Sequence, residues 1–317
     1  FRREGTSNPE IRARLDVLQD ERQALRHSLY QWALASSEIV NPSIERMAGR
    51  TQIGEAILQH WQNTSLPGVP SEVALRLASV RLDDFPNHLP DFFYSRVERL
   101  QLINIYQPGS WLSSEQFGGQ TFDLFLRRFE QVASLEISMS SLSNPSAMLD
   151  IIRTRLPGLR ALSLTNQGMH INARMLNSFS QMQQLESLDL SENLSFDDPI
   201  SEPINLSVQR LGLDRIGLTR WPEGLTERMP DHISEVSLVG NHISNLPTEL
   251  MQTNSLSGRT TLVRLQGNRL SRTEMIEACL HGASSHRTVR VLPGVPVELQ
   301  PRIDILLREQ AELESAL

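Results

Sequence analysis

The sequence predicts an α/β solenoid: a curved parallel sheet with helices on its convex side and an α-helical cap over its N-terminal end. Three observations predict it. Eight segments of the chain repeat one apolar pattern. Their spacing is nearly constant. The residues ahead of the first segment carry helical rather than repeat spacing.

The best-formed segment is Ile233-Ser-Glu-Val-Ser-Leu-Val-Gly-Asn-His-Ile243. It fits the leucine-rich-repeat template L-x-x-L-x-L-x-x-N-x-L. Val236 and Leu238 alternate on a short strand, so both point to one face. Asn241 turns the chain, and its side-chain amide can bond the backbone of the neighbouring coil. One such unit cannot bury its own apolar face, so copies must stack. Copies start at Glu72, Val97, Val132, Leu159, Leu185, Val208, Ile233 and Thr260, in steps of 25, 35, 27, 26, 23, 25 and 27 residues. Their strand pairs are Leu75/Leu77, Leu100/Leu102, Leu135/Ile137, Leu162/Leu164, Leu188/Leu190, Leu211/Leu213, Val236/Leu238 and Val263/Leu265. The asparagine is present as Asn193, Asn241 and Asn268. Val80, Ile105, Ser140, Gln167 and Ile216 replace it elsewhere, so apolar packing must substitute there. An ordinary α/β domain with Leu-x-Leu strands would not hold a fixed period over eight units.

The chain divides into a helical hairpin cap over residues 1–70, repeats over 71–270, and a C-terminal capping segment or linker over 271–317. In the cap, apolar residues fall at Ile11, Leu15, Leu18, Leu25, Leu29 and Trp32, and then at Ile44, Met47, Ile53, Ile57, Leu58 and Trp61. Asn8 caps the first helix with Pro9 at its first position. Asn41-Pro42 separates the two, and Trp32 and Trp61 read as core anchors. The 35-residue step marks an insertion carrying Tyr106 and Trp111, followed by a helix at Phe122–Phe129. Insertions in solenoids sit in loops and often bind, so this pair is a second candidate contact. Helical returns follow at Ala147–Leu156 and Ala173–Met182. Asp197-Asp198-Pro199 with Glu202-Pro203 makes an acidic loop whose spacing matches no cation-binding motif. Two returns share L-x-x-[WL]-P-x-x-L, at Leu218–Leu225 and Ile243–Leu250. Asn254–Thr261 reads as a polar loop. Ser271 with Glu274 forms a capping box for a helix through Ala278. Thr288–Leu292 reads as an edge strand, and a closing helix starts near Val297.

Composition narrows the function. A net charge of −7 argues against a nucleic-acid footprint. One cysteine, Cys279, excludes an internal disulfide framework. No apolar run is long enough to span a membrane. The chain starts at Phe1 rather than methionine and reads as a fragment of a longer one. All 30 basic residues are arginine. A genome that spells basic residues as arginine is one origin for this. Avoidance of the ε-amine, which arginine lacks, is the other, and it suits a protein working beside ubiquitin machinery.

Enzymatic chemistry is not written in these residues. Cys279, near His281 and His286, sits on an apolar helix face with Met275 and Ile276. A small buried hydrophobe is the simpler reading than a catalytic thiol. The histidines show no metal-ligand spacing, and there is no phosphate-cradling glycine loop. No catalytic residue, metal or cofactor is expected.

The helical pair with Arg22, Leu25, Leu29 and Trp32, and with Arg50, Ile53, Ile57 and Trp61, precedes irregular repeats. After these come Leu218-Thr-Arg-Trp-Pro-Glu-Gly-Leu225, Leu238-Val-Gly-Asn-His-Ile243 and Leu265-Gln-Gly-Asn-Arg-Leu-Ser271. This arrangement resembles the leucine-rich-repeat portion of bacterial secreted effectors of the novel-E3-ligase (NEL) class and their larger relatives, over most of the chain. In that class the repeats select a host substrate and can restrain a C-terminal ligase domain. The cysteine of that domain forms a ubiquitin thioester in a Cys-x-Asp motif. Here Cys279 is followed by Leu280-His281, so the motif is absent. A second effector class, with repeats joined to a lysine-free catalytic domain, is also compatible. The resemblance implies a recognition module that is secreted by a bacterium and acts in the host cytoplasm. Its catalytic part would lie outside this chain.

The expected binding surface is the concave face between and after the strand leucines. Its candidate residues are Arg76, Arg99, Gln101, Asn104, Glu136, Met139, Ser163, Asn166, Asp189, Glu192, Arg210, Asp214, Arg215, Glu235, Arg264 and Gln266. Mixed signs, acidic near Asp189 and Glu192, point to a protein partner read by ionic complementarity. That partner would be a host substrate or the chain's own catalytic domain. The alternative is a non-enzymatic binding or scaffold repeat with no ubiquitin link.

Overall fold

The computed structural model describes residues 8–35, 44–65, 73–105, 119–140, 145–193, 204–226, 232–248, 250, 260–283 and 289–316. Tyr106, Trp111, the Asp197–Pro203 stretch and most of the 254–261 loop lie outside them. The chain is α/β and falls into two units, 1–159 and 160–317.

The first unit opens with α1 (Asn8–Ala35) and α2 (Ile44–Ser65). Ile53, Ile57 and Trp61 recur every four residues on α2, and all three are buried, as is Leu25 of α1. Three strands follow: β1 (Leu75–Ala78), β2 (Arg99–Ile103) and β3 (Ser134–Ser138). They pair parallel in chain order, with Leu75 opposite Leu100 and Leu100 opposite Leu135. This is the register that the repeat template demands, because a slip of one residue would turn each leucine out of the core. The returns are short: a 3-10 turn at Leu82–Asp84, then α3 (Asp91–Tyr94), α4 (Gly119–Leu126) and α5 (Pro145–Arg155). Behind the strands, Phe85 meets Phe125 edge-on at 5.2 Å, and Tyr94 meets Phe129 at 5.4 Å.

Two ionic clasps hold the helices to the coils. Asp84, only 2 % exposed, accepts from Arg46 at 2.6 Å and from Arg50 at 3.2 Å. Arg50 also lies over the Trp32 ring. Glu21 of α1 takes both guanidinium arms of Arg96, at 2.6 and 2.8 Å, and the Trp61 indole N–H at 3.3 Å. Burial raises the Glu21 pKa. The hydrogen bond and charge of Arg96, with the Trp61 bond, outweigh that and hold it below the ordinary carboxylate value.

The second unit runs β4 (Ala161–Thr165), α6 (Ala173–Ser178), β5 (Ser187–Asp189), β6 (Arg210–Gly212), α7 (Glu223–Thr226), β7 (Glu235–Ser237), β8 (Thr261–Arg264), α8 (Arg272–Ala283), β9 (Val289–Leu292) and α9 (Gln300–Ala316). Its strands are parallel and consecutive. Leu162, Leu188, Leu211, Val236, Val263 and Val291 stand opposite one another in turn. Asn172 caps α6 by accepting from Met175 N at 2.9 Å. Ser271 and Glu274 exchange side-chain-to-backbone bonds at 3.2 and 2.9 Å, closing the predicted capping box.

Several boundaries differ from the sequence reading. The helix expected over Phe122–Phe129 instead spans Gly119–Leu126. The helix expected over Ala173–Met182 stops at Ser178 and tightens into a 3-10 turn at Phe179–Gln181. The helix after Ser271 continues past Ala278 to Ala283. Thr261 is not loop but the first residue of β8. It is buried, and its hydroxyl donates to Ile233 O at 2.5 Å.

The asparagine positions behave as two chemistries. Asn193 Oδ1 accepts from Gln167 N and Met169 N, while its Nδ2 donates to Leu164 O and Leu190 O at 2.7 Å each. Asn241 repeats the pattern one coil pair further on, and Asn268 donates to Leu238 O and Leu265 O. Where the asparagine is missing, Val80, Ile105 and Ile216 are buried in its place. Ser140 keeps part of the bonding, accepting from Ile105 N at 3.1 Å and donating to Ser138 O at 2.9 Å.

Candidate functional site

The residue before each of those positions turns the chain out of the strand. Ser79, Asn104, Met139, Asn166, Glu192, Arg215, Gly240 and Gly267 all have positive φ, between 51° and 75°. Six of the eight are not glycine. Each non-glycine holds a left-handed backbone that disfavours a side chain, so the stacked coils must over-determine the turn. Five of these eight were on the predicted binding face.

In the first unit that face runs along the rows Arg76–Gln101–Glu136 and Arg99–Ser134, which stand in register. Gln101 Nε2 donates to Glu136 Oε2 at 2.9 Å, and Asn104 Nδ2 donates to Ser79 Oγ at 3.0 Å. Met139 stands 51 % exposed on its left-handed turn. Arg76 and Arg99 are exposed and make no side-chain hydrogen bond or ion pair with a described residue.

In the second unit most of the predicted charges engage one another. Glu192 pairs with Arg215 of the next coil, and its carboxylate holds that guanidinium still more firmly protonated. Glu235 Oε1 accepts from Arg264 Nε at 2.7 Å. Asp189 Oδ1 accepts from Ser191 N at 3.0 Å and from Ser191 Oγ at 2.6 Å. Ser191 Oγ in turn accepts from Asp214 N at 3.0 Å. Asp214 Oδ1 accepts from Ser237 Oγ at 2.6 Å and from Val239 N at 2.7 Å. The result is a polar ladder in which a side chain of one coil satisfies a backbone N–H of the next. Gly212 belongs to it by absence: a Cβ there would lie 2.5 Å from Asp189 Oδ1. Arg210 is exposed and makes no side-chain bond with a described residue. Ser163 lies in the row of Asp189, Asn166 is exposed on its turn, and Gln266 is half-buried.

Sequence reasoning did not single out the serines of these rows. Ser79, Ser191 and Ser237 are small, polar and scattered, and only Asp189-Leu190-Ser191 hints at a local carboxylate–hydroxyl bond. The thiol of Cys279 is half-buried on α8, and burial pushes its pKa up, the reverse of what a nucleophilic thiolate needs. Among the described residues no group of His, Cys, Asp and Glu could hold a metal ion, and no helix is long and apolar enough to cross a membrane. No protein-family model matches this chain, and no curated protein matches it.

Proposed function

We propose that this chain is a protein-recognition module: leucine-rich-repeat coils under an N-terminal helical cap, forming the substrate-binding domain of a bacterial effector E3 ubiquitin ligase that acts in a host cell. The recognition half rests on one observation above the others. On the strand face of the first unit, Arg76 and Arg99 stand exposed on adjacent strands without a described partner. Exposed arginines recur as anchors at protein interfaces, where a partner carboxylate completes them. The ubiquitin half rests on the resemblance of the helical pair and repeats, and on the absence of lysine from 317 residues.

One assay separates the halves. The chain carrying its native flanking sequence is incubated with ubiquitin, activating enzyme and conjugating enzyme, beside the present chain alone. The proposal expects a reducible ubiquitin adduct on the first and none on the second. An adduct on the second that disappears in Cys279→Ser would move the chemistry into this chain. No adduct on either would remove the ubiquitin link and leave a non-enzymatic binding repeat.

A further inference from the structure

The predicted apolar stripe of α1 is only partly used inside the first unit. Of its apolar side chains Leu25 alone is fully buried, while Leu15 is 50 % and Tyr30 61 % exposed. Leu15, Leu18 and Tyr30 of α1, with Trp61 of α2, line an open groove of about 1100 Å³. Monomers seldom leave such a patch uncovered without a use for it. The groove is also charged in one sense. Arg22 and Arg26 stand one helical turn apart among its lining residues, with His27 beside them. Asp16, Asp20 and Glu21 are next in sequence to lining residues, but none of the three is itself among them, and Glu21 is taken by Arg96 and Trp61.

We infer that this groove docks an acidic amphipathic helix of a protein partner. From Leu15 to Tyr30 the wall is about 22 Å long at 1.5 Å per residue, the length of a four-turn helix. Leucines of the incoming helix would cover Leu15, Leu18 and Tyr30 in the usual helix-in-groove manner. Its carboxylates, one turn apart, would meet Arg22 and Arg26. Tyrosine, tryptophan and arginine together are the residues that most often carry such contacts. The inference stands apart from the strand-face reading, because none of its residues lies on a strand.

The probe is a labelled amphipathic peptide of about four helical turns, with leucines at i, i+3, i+4 and i+7 and glutamates one turn apart on its flank. Its control carries arginine in place of each glutamate. Fluorescence anisotropy with the intact chain should give saturable binding of the acidic peptide only. Arg22→Glu/Arg26→Glu should weaken that binding by about tenfold or more and take up the basic peptide instead. Leu15→Ser/Tyr30→Ser should weaken both. All four side chains are exposed, so circular dichroism should be unchanged in either variant. Absence of saturable binding to the wild type, or equal binding of both peptides, overturns the inference. So does capture by phosphatidylserine vesicles without peptide binding, which reassigns the face to a membrane surface. Self-association lost in Leu15→Ser/Tyr30→Ser, again without peptide binding, would make the occupant a second copy.

Discussion

Asn241 Nδ2 reaches one coil back to the carbonyl of Leu213, 2.9 Å away. The same amide also donates to Leu238 O and accepts from Ile216 N and Leu218 N. One side chain, 1 % exposed, thus satisfies four backbone groups that water cannot reach. The expectation is that Asn241→Ala costs about 2–4 kcal/mol, more than an ordinary hydrogen bond, because buried donors and acceptors are left unmade. Asn241→Ile should not rescue it, although Ile216 fills the equivalent place one coil earlier. Urea unfolding of the three proteins measures this. A loss below 1 kcal/mol would mean that the backbone regains its partners by a local shift.

The left-handed turn makes a prediction of opposite sign. Met139 has φ of 52° and an exposed side chain. A side chain in that conformation costs about 1–2 kcal/mol, whereas glycine costs about 0.5–1 kcal/mol through the unfolded chain. The first term is larger, so Met139→Gly should stabilise by a few tenths to about 1 kcal/mol. Glu192→Gly should gain less, since it also removes the partner of Arg215. Thermal melts of the two variants give the comparison.

These two cases mark what was legible in the sequence. Leu-x-Leu at a steady period determined which residues face the core: all sixteen are buried, although Leu190, Leu213, Leu238 and Leu265 fall one residue past the ends of their strands. The left-handed column was not legible, because only Gly240 and Gly267 announce it. Asn104 and Asn166 tolerate the turn, but Met139, Glu192 and Arg215 give no local sign. Of the sixteen positions read as the face, eight are exposed and eight, Asp189 and Asp214 among them, are half-buried, and their pairing was not legible. Glu192 with Arg215, and Asp189 with Ser191, depend on how coils stack and on which rotamers that stacking admits. Clasps such as Asp84 with Arg46 span 38 residues, beyond any local pattern.

His60 makes the fold sensitive to acid. Its ring is 2 % exposed, lies edge-on to Phe93 at 5.8 Å, and neither ring nitrogen forms a hydrogen bond. Burial lowers its pKa from the ordinary 6.5, opposed only by the nearby backbone of Arg96 and Ala74. The unfolded chain therefore binds the proton first as pH falls. The stability is fully present above pH 6.5 and is lost as pH drops toward the folded value. Urea midpoints measured between pH 7.5 and about 5.5 should fall for the wild type and stay level for His60→Leu. Glu21 acts in the same direction but below its ordinary value of 4.5, so the two contributions occupy different ranges. Parallel slopes in wild type and variant would exonerate His60.

Charge reversal on the strand face of each unit should separate structural from available charges. Asp189 is half-buried, and its Oδ1 holds both the backbone and the hydroxyl of Ser191, which in turn holds Asp214 N. Asp189→Arg removes the head of that ladder and introduces a longer side chain beside Gly212. It should cost about 2 kcal/mol or more. Arg76 and Arg99 hold nothing among the described residues, so Arg76→Glu/Arg99→Glu should change stability by no more than about 0.5 kcal/mol. A partner bound through this face should therefore be lost from the arginine variant with its melting temperature intact. In Asp189→Arg any loss of binding should arrive together with a lower melting temperature. Arg174→Glu, on the exposed surface of α6, should alter neither. Calorimetric melts and binding measured on the same preparations decide it. A large drop in melting temperature for Arg76→Glu/Arg99→Glu would make those arginines part of the fold and deprive the recognition reading of its anchors.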